Sequence, residues 1–238
     1  MATIGFTAGL MSGIFGIGGG SVRIPLLNIA GMPLLNAFAI NMFVIPFAQS
    51  IAAYTHRKNI DWNMALYAII GGILGSLAGA VFTGIIPTFI LSIIFVSVAI
   101  LTVLSVYLDK IAPGLYSRLV PFARNIILGT FILNLITGLR GGSGGSLFPP
   151  FLKAMHLDMH KAIATSLFTT IFTAGAAFFI YWHRGNILWL PSLSVLIGSV
   201  LGARIGSTIS LKTKPMWLKI GLSLFIVVLA LLTIYKAI

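Results

Sequence analysis

Long apolar stretches separated by short polar gaps run through this chain. Trp62–Ile86, Thr88–Leu108, Ile187–Leu211 and Met216–Tyr235 are the clearest, with Arg204 inside the third. Each is about as long as a helix must be to cross a bilayer, roughly 20 residues. Four such runs cannot all be packed inside one soluble domain of 238 residues. The pattern predicts an all-α polytopic membrane protein.

The punctuation between the runs occurs twice. Ser12-Gly13-Ile14-Phe15-Gly16-Ile17-Gly18-Gly19-Gly20-Ser21 returns as Thr137-Gly138-Leu139-Arg140-Gly141-Gly142-Ser143-Gly144-Gly145-Ser146, and Pro25 and Pro150 follow at the same distance. His56-Arg57-Lys58-Asn59-Ile60-Asp61-Trp62 returns as His183-Arg184-Gly185-Asn186-Ile187-Leu188-Trp189, and Gly71, Gly75 and Gly79 return as Gly198, Gly202 and Gly206. Order and spacing are kept, which is the signature of an internal repeat. The first unit is expected over residues 1–108, a polar linker over 109–124 and the second unit over 125–238. Each unit reads as four apolar segments. The first carries the glycine cluster, the second ends at the His-Arg loop, and the third carries glycines at every fourth position. Pro46 is expected to kink the second segment of the first unit. Small residues four apart allow close helix contact in lipid, so the third-segment glycines are read as packing.

Composition agrees with a membrane setting: 58% of residues are hydrophobic and 8% charged, against about 25% charged in soluble domains. The net charge is +12, from 15 Lys and Arg against three acids. Most of these cations lie in the gaps, where topology signals belong. The basic balance is therefore not read as a nucleic-acid surface. With no Cys, disulfides, thiolate metal sites and cysteine nucleophiles are excluded. The N-terminus lacks the basic region and cleavage site of a signal peptide, so the first apolar run is expected to belong to the mature fold.

Charge placement chooses between two topologies. If all eight segments span, Arg57, Lys58, Lys110, Arg118, Arg124, Arg184 and Lys236 oppose Lys153, Lys161, Lys212, Lys214 and Lys219, seven against five. If each glycine-broken first segment is re-entrant, the second unit is inverted. Arg57, Lys58, Lys110, Arg118, Arg124, Lys153, Lys161, Lys212, Lys214 and Lys219 then oppose only Arg184 and Lys236, ten against two. The positive-inside rule favours the second arrangement: inverted repeats, a cytoplasmic linker and both termini outside.

The clusters are the candidate chemistry. Each Gly costs about 1 kcal/mol relative to Ala inside a helix, so Gly16-Ile17-Gly18-Gly19-Gly20 is expected to break one. Non-helical backbone at membrane depth is tolerated where protein or a wet cavity satisfies it, and a helix N-terminus there attracts anions. Inverted repeats with paired broken helices are a transporter plan. Gly18, Gly19, Gly20, Ser21, Ser143, Gly144, Gly145 and Ser146 are therefore expected around an anion, with Ser21 and Ser146 as N-caps or ligands. Tight helix crossing is the structural alternative. Arg23 and Arg140 flank the clusters. The repeat aligns them with Phe148 and Phe15, so neither has a counterpart. Both suit an oxyanion, with snorkelling to the interface as the alternative, and Arg204 is expected to snorkel. Asn41 and Ser166, with Thr165 beside it, occupy matched places and could offer neutral hydrogen bonds to substrate or between helices. His56 and His183 read as interfacial anchors, with proton relay as the alternative, and Gln49 is polar without an evident role.

Asp61, Asp109 and Asp158 are the only acids, and all sit at segment ends or in gaps. Carriers that relay protons through buried carboxylates are thereby disfavoured. The features together suggest passive or weakly coupled anion movement, most naturally export.

These residues carry a resemblance. The Gly-x-Gly-Gly-Gly cluster before Pro25, the Ala-x-Ala-Thr-Ser run ending at Ser166, the His-Arg-x-Asn-Ile loops and the duplicated layout resemble the TauE/SafE sulfite exporter family over nearly the whole chain. The resemblance implies a multi-pass inner-membrane transporter of sulfite, organosulfonates or related small sulfur anions. The departures are Ile40-Asn41 where the second unit has Thr165-Ser166, the Gly-Gly-Ser-Gly-Gly form of the second cluster, and the two arginines. A secondary carrier is the leading expectation, and an anion channel of the same lining the alternative. A membrane enzyme lacks any visible general-base constellation. The expected partners are a small anion and membrane lipid, and no cofactor is expected.

Overall fold

A computed structural model describes the backbone apart from residues 86, 88, 89, 91, 92, 94, 95, 98, 99, 102, 105, 118 and 238, and also leaves aside the side chains of 115 and 229–237. Ten of the 21 positions of the fourth segment expected over Thr88–Leu108, and Arg118, lie outside the described residues. The elements are α1 (Ala2–Phe15), α2 (Gly20–Ile29), α3 (Leu34–Thr55), a 3-10 turn (Arg57–Asn59), α4 (Trp62–Phe82), α5 (Leu108–Ile111), α6 (Pro113–Tyr116), α7 (Ala123–Gly138), α8 (Phe148–Ala154), α9 (Met159–His183), α10 (Trp189–Lys212) and α11 (Pro215–Ala237). Among the described residues there is no strand, and the fold is all-α as expected.

By length and composition α3, α4, α9 and α10 can each cross a membrane. At about 1.5 Å per residue, α1 with 14 residues and α7 with 16 fall short of a hydrocarbon core about 30 Å thick. Local chemistry sets the ends. Asp61 caps α4 by accepting from the Met64 amide at 3.0 Å, and Asp158 caps α9 by accepting from Lys161 at 3.0 Å. Arg184 closes the far end of α4, donating to the carbonyls of Ala80 at 3.0 Å and Val81 at 2.8 Å. Pro46 leaves α3 unbroken.

Polarity is arranged inside out. Arg23, Asn41, Gln49, Ser76, Asn134, Thr165, Ser166, Thr169, Thr170, Thr173 and Ser199 are fully buried, whereas Leu66, Ile70, Leu74, Ile197 and Leu201 are exposed on α4 and α10. A lipid solvent accounts for both, because polar side chains there must face protein. All four tryptophans are exposed at or near helix ends, at 62, 182, 189 and 217, where interfacial belts form.

Glycines set the closest contacts, and these join one unit to the other. A Cβ on Gly198, Gly202 or Gly206 of α10 would lie 1.9, 2.2 and 2.2 Å from the carbonyl oxygens of Ala2, Phe6 and Leu10. The order rises on both helices, so α1 and α10 run parallel. On the other side, Gly71 and Gly75 of α4 would meet the Ile127 and Phe131 carbonyls at 2.1 and 2.2 Å, and Gly79 would meet Gly138 at 2.8 Å. Hence α4 and α7 also run parallel. Between these pairs, α9 lies antiparallel to α3, with Phe43 on Phe178 and Pro46 beside Gly175. It lies parallel to α4, with the Ser76 hydroxyl donating to the Thr173 carbonyl and Thr83 bonding Tyr181.

One end of the bundle gathers the linker with two distant stretches. Lys219 pairs with Asp109 at 3.4 Å, His156 Nε2 bonds the Leu119 carbonyl oxygen, and Lys153 lies over the Tyr116 ring. His160 Nε2 bonds the Thr213 carbonyl oxygen at 3.1 Å.

Alanine at Gly202 or Gly75 must push two helices apart. We expect either substitution to lower the thermal unfolding midpoint by several degrees in detergent. Gly114→Ala, where an added Cβ meets nothing within 4 Å, should leave the midpoint unchanged.

Candidate functional site

Each glycine cluster forms a non-helical link between a long helix and a short one. Residues 16–19 join α1 to α2, and 139–147 join α7 to α8. Gly16 and Gly141, matched by the repeat, hold φ of 72° and 68°, a left-handed conformation open to glycine. Gly19 and Gly144 form a second matched pair, at 75° and 74°. The links meet each other. A Cβ on Gly145 would lie 2.9 Å from the Gly18 Cα, and one on Gly18 would lie 3.2 Å from the Ser143 hydroxyl. Gly18, Ser143 and Gly145 are thus brought together where backbone crosses backbone.

Each link is also held by the opposite unit. Ser166 on α9 donates from its hydroxyl to the Gly16 carbonyl at 2.7 Å. Asn41 on α3 donates from Nδ2 to the Gly141 carbonyl at 2.9 Å. Gly16 packs on Ile163 and Gly141 on Phe38. All of these partners are matched by the repeat, so one contact is made twice in reciprocal form. It satisfies backbone that membrane depth would otherwise leave open. Asn41 and Ser166 therefore spend their donors on the protein. Thr165 accepts from the Asp61 amide at 3.1 Å, and Thr173 donates to the Ser143 carbonyl at 3.1 Å.

The symmetry stops at Arg23, one turn into α2 and fully buried. Its Nη1 donates to the Asn41 side-chain oxygen and its Nη2 to the Ser199 hydroxyl at 3.1 Å, while Nε has no partner. Ser199 donates onward to the Gly5 carbonyl at 3.0 Å. No carboxylate attends this cation: Asp61 and Asp158 cap helices, and Asp109 pairs with Lys219. The matched position, Phe148, is fully buried and apolar.

The short helices differ too. The N-cap of α2 is Gly19 rather than Ser21, which is half-buried inside the first turn. The left-handed backbone at Gly19 takes the capping place. Gly20, packed on the Asn41 amide, and Ser21 have amides with no partner within the helix. The N-cap of α8 is Leu147, with buried Ser146 in the turn before it. Pro149 and Pro150 remove two amides from its first turn, and the Leu147 and Phe148 amides already bond Gly144. Donors for an anion are concentrated in the first unit, against the expected pair of equivalent helix ends. Arg140 is half-buried in the turn after α7.

Ser199, Ser12 and Asn134 escaped the sequence reading. Ser199 follows Gly198 in a stretch that reads as packing, and nothing local to it signals a charged partner. Ser12 accepts from Gln49 Nε2, which gives that residue a partner, while Gln49 Oε1 has none. Asn134 bonds the Thr130 carbonyl at 3.0 Å and packs on Gly144 with Oδ1 unpartnered.

His56 and His183 part company. His183 is exposed, whereas His56 is fully buried beyond the end of α3, with no hydrogen bond to either ring nitrogen. Burial pushes its pKa down to about 4, nearby His160 adds to the shift, and the Ser207 backbone opposes it weakly.

Residues 1–233 match the model of the family described as sulfite exporter TauE/SafE. A probable membrane transporter protein of Sinorhizobium sp is 28% identical over 237 residues, covering 94% of this chain and 89% of the relative. Another from Methanocaldococcus jannaschii is 28% identical over 251 residues, covering 96% and 92%. A third, from Bacillus subtilis, is 25% identical over 269 residues, covering 100% and 97%. No solved structure matches.

Two outcomes test this geometry. Ser166→Ala loses one neutral bond, a cost of about 1 kcal/mol, whereas Asn41→Ala also strips a charged donor of its acceptor and should cost about 2–3 kcal/mol. Chemical unfolding of the two variants should keep that order. His56 supplies the second. Its folded pKa of about 4 lies below the unfolded value near 6.5. Its contribution is therefore complete above about pH 6.5 and lost as pH falls toward 4. We expect a loss on the order of 2 kcal/mol between about pH 7 and pH 5, with His56→Leu flattening that slope.

Proposed function

Because the chain belongs to the sulfite exporter TauE/SafE family, a family of membrane transporters here, we propose that it is a secondary carrier exporting small sulfur-containing anions, such as sulfite or organosulfonates, across the cytoplasmic membrane. One observation carries the anion reading: Arg23 is a fully buried cation whose described partners are both neutral. A buried ion without a counter-ion costs several kcal/mol. An oxyanion at the first break would supply the missing charge, accept from the guanidinium fork, and meet the open amides of Gly20 and Ser21 at the N-terminus of α2. Ser143 and Gly145, which meet Gly18, complete the proposed site together with Gly144, Ser146 and Arg140 of the same link. Asn41 and Ser199 orient Arg23. Outward movement needs no coupling ion, since the membrane potential supplies roughly 2.3 kcal/mol per charge per 100 mV.

The topology we propose is two inverted units, each with a re-entrant first segment. Chain direction supports it. Taking α1 and α10 as running upward, α3 also runs upward, because Arg23 ties Asn41 to Ser199 and the Ser207 backbone lies beside His56. Then α9 runs down, and α4 and α7 with it. The first unit reads up, up, down and the second down, down, up. The contacts among Asp109, Leu119, Lys153, His156, Thr213 and Lys219 support the same arrangement, since the eight-span alternative separates the linker from 153–161 and 212–219. A carrier is favoured over a channel because the two links close on each other at Gly18 and Gly145.

Flux into proteoliposomes of sulfite, sulfate, thiosulfate, taurine and sulfoacetate identifies the substrate, and trans-stimulation marks a carrier. Arg23→Gln should reduce flux of the preferred anion at least about tenfold, the worth of one lost charge-assisted contact, in protein that elutes as a folded species. Unchanged flux would remove Arg23 from the site. Arg140→Gln should also reduce flux. Single cysteines at Lys58 and Lys161 should label from the same side with an impermeant maleimide; opposite-side labelling defeats the inverted topology.

A further inference from the structure

The outward face of α10 carries a cation far from the helix end. Arg204, Thr208 and Lys212 recur at every fourth position and so share a face, and all three are exposed. With Ile205 and Ile209 they line a shallow cleft of about 300 Å³. The opposite side of α10 is occupied by α1 through Gly198, Gly202 and Gly206. This face is therefore the one turned outward, in line with exposed Ile197 and Leu201.

Arg204 lies eight residues before Lys212, about 12 Å along the helix, inside an apolar surface. A cation there is satisfied by reaching the headgroup layer, where an opposite charge stabilises it. The chain does not supply one, because Asp61 and Asp158 cap helices and Asp109 pairs with Lys219. Thr208 is no substitute: its hydroxyl donates to the Arg204 carbonyl at 2.9 Å, as the Ser207 hydroxyl does at 3.0 Å. The backbone is thereby closed and the two cations are left for a ligand. Their long side chains can converge toward the interface, while Ile205 and Ile209 offer apolar surface to an acyl chain. Two cations without an acid favour a headgroup with net negative charge over a zwitterionic one.

We propose that Arg204 and Lys212, with Ile205 and Ile209, form a binding site for an anionic phospholipid in the leaflet at the C-terminal end of α10, its phosphate held between the two cations. The inference is independent of the transported substrate.

The test is native mass spectrometry of the full-length protein in detergent, titrated with phosphatidylglycerol or phosphatidylcholine. Wild type should bind phosphatidylglycerol in preference. Arg204→Gln and Lys212→Gln should each weaken that binding about fivefold, and the double variant about 25-fold, the worth of one and two cations near an anionic surface. Arg204→Lys should retain it, and melting in phosphatidylcholine nanodiscs should match wild type. Lys214→Gln, at the same end but outside the cleft, should bind as wild type does. The proposal fails if the double variant keeps wild-type affinity, if both lipids bind equally, or if Lys214→Gln weakens binding as much as Arg204→Gln. It fails also if inorganic phosphate binds with the same dependence on Arg204, or if the double variant converts a dimer to a monomer, which would assign the face to a second copy of the chain.

Discussion

A polypeptide can interrupt a helix inside a membrane only if other protein groups satisfy the backbone it opens. Here each unit satisfies the other. Ser166 holds the Gly16 carbonyl, Asn41 holds the Gly141 carbonyl, and the two links press together at Gly18 and Gly145. Neither unit is complete alone, since the donor that closes each break belongs to the opposite half of the chain. The interlock of the two halves is thus a mechanical requirement of the fold.

The same interdependence extends along the helices. Glycines bring α1 of the first unit against α10 of the second, and α7 of the second against α4 of the first, at distances where a methyl group would strike a carbonyl oxygen. Helices gain little from the hydrophobic effect when their surroundings are also apolar, so close backbone contact becomes the main source of attraction. A motion that simply parted the two sequence units would have to pull both glycine seams apart. Any alternating movement must keep α1 with α10 and α7 with α4, or break both seams together.

On this nearly symmetric frame the chemistry is one-sided. The first unit places a cation and open amides at its break. The second places Phe148, Pro149 and Pro150 there, which offer bulk and few donors. Two-fold architecture supplies closure, and a departure from it supplies charge.

The sequence by itself determined the all-helical membrane class, the duplication and the positions of the breaks. These depend on composition, run length and glycine clustering, each readable without knowing what touches what. It also marked Arg23 as unusual, because the repeat has no second copy of it. It did not determine that Asn41 and Ser166 would be consumed as reciprocal clamps, that His56 would be buried while His183 is exposed, or that Ser199 would hold a guanidinium 176 residues away. A serine in a glycine-rich helix has the same local signature whether it meets lipid, another helix or a buried charge. Only tertiary structure decides, because the partner comes from the far half of the chain. The parallel seams of α1 with α10 and α4 with α7 were likewise outside local reach: the glycines announced close contact, but which helix would fill it depended on how the two units interlock.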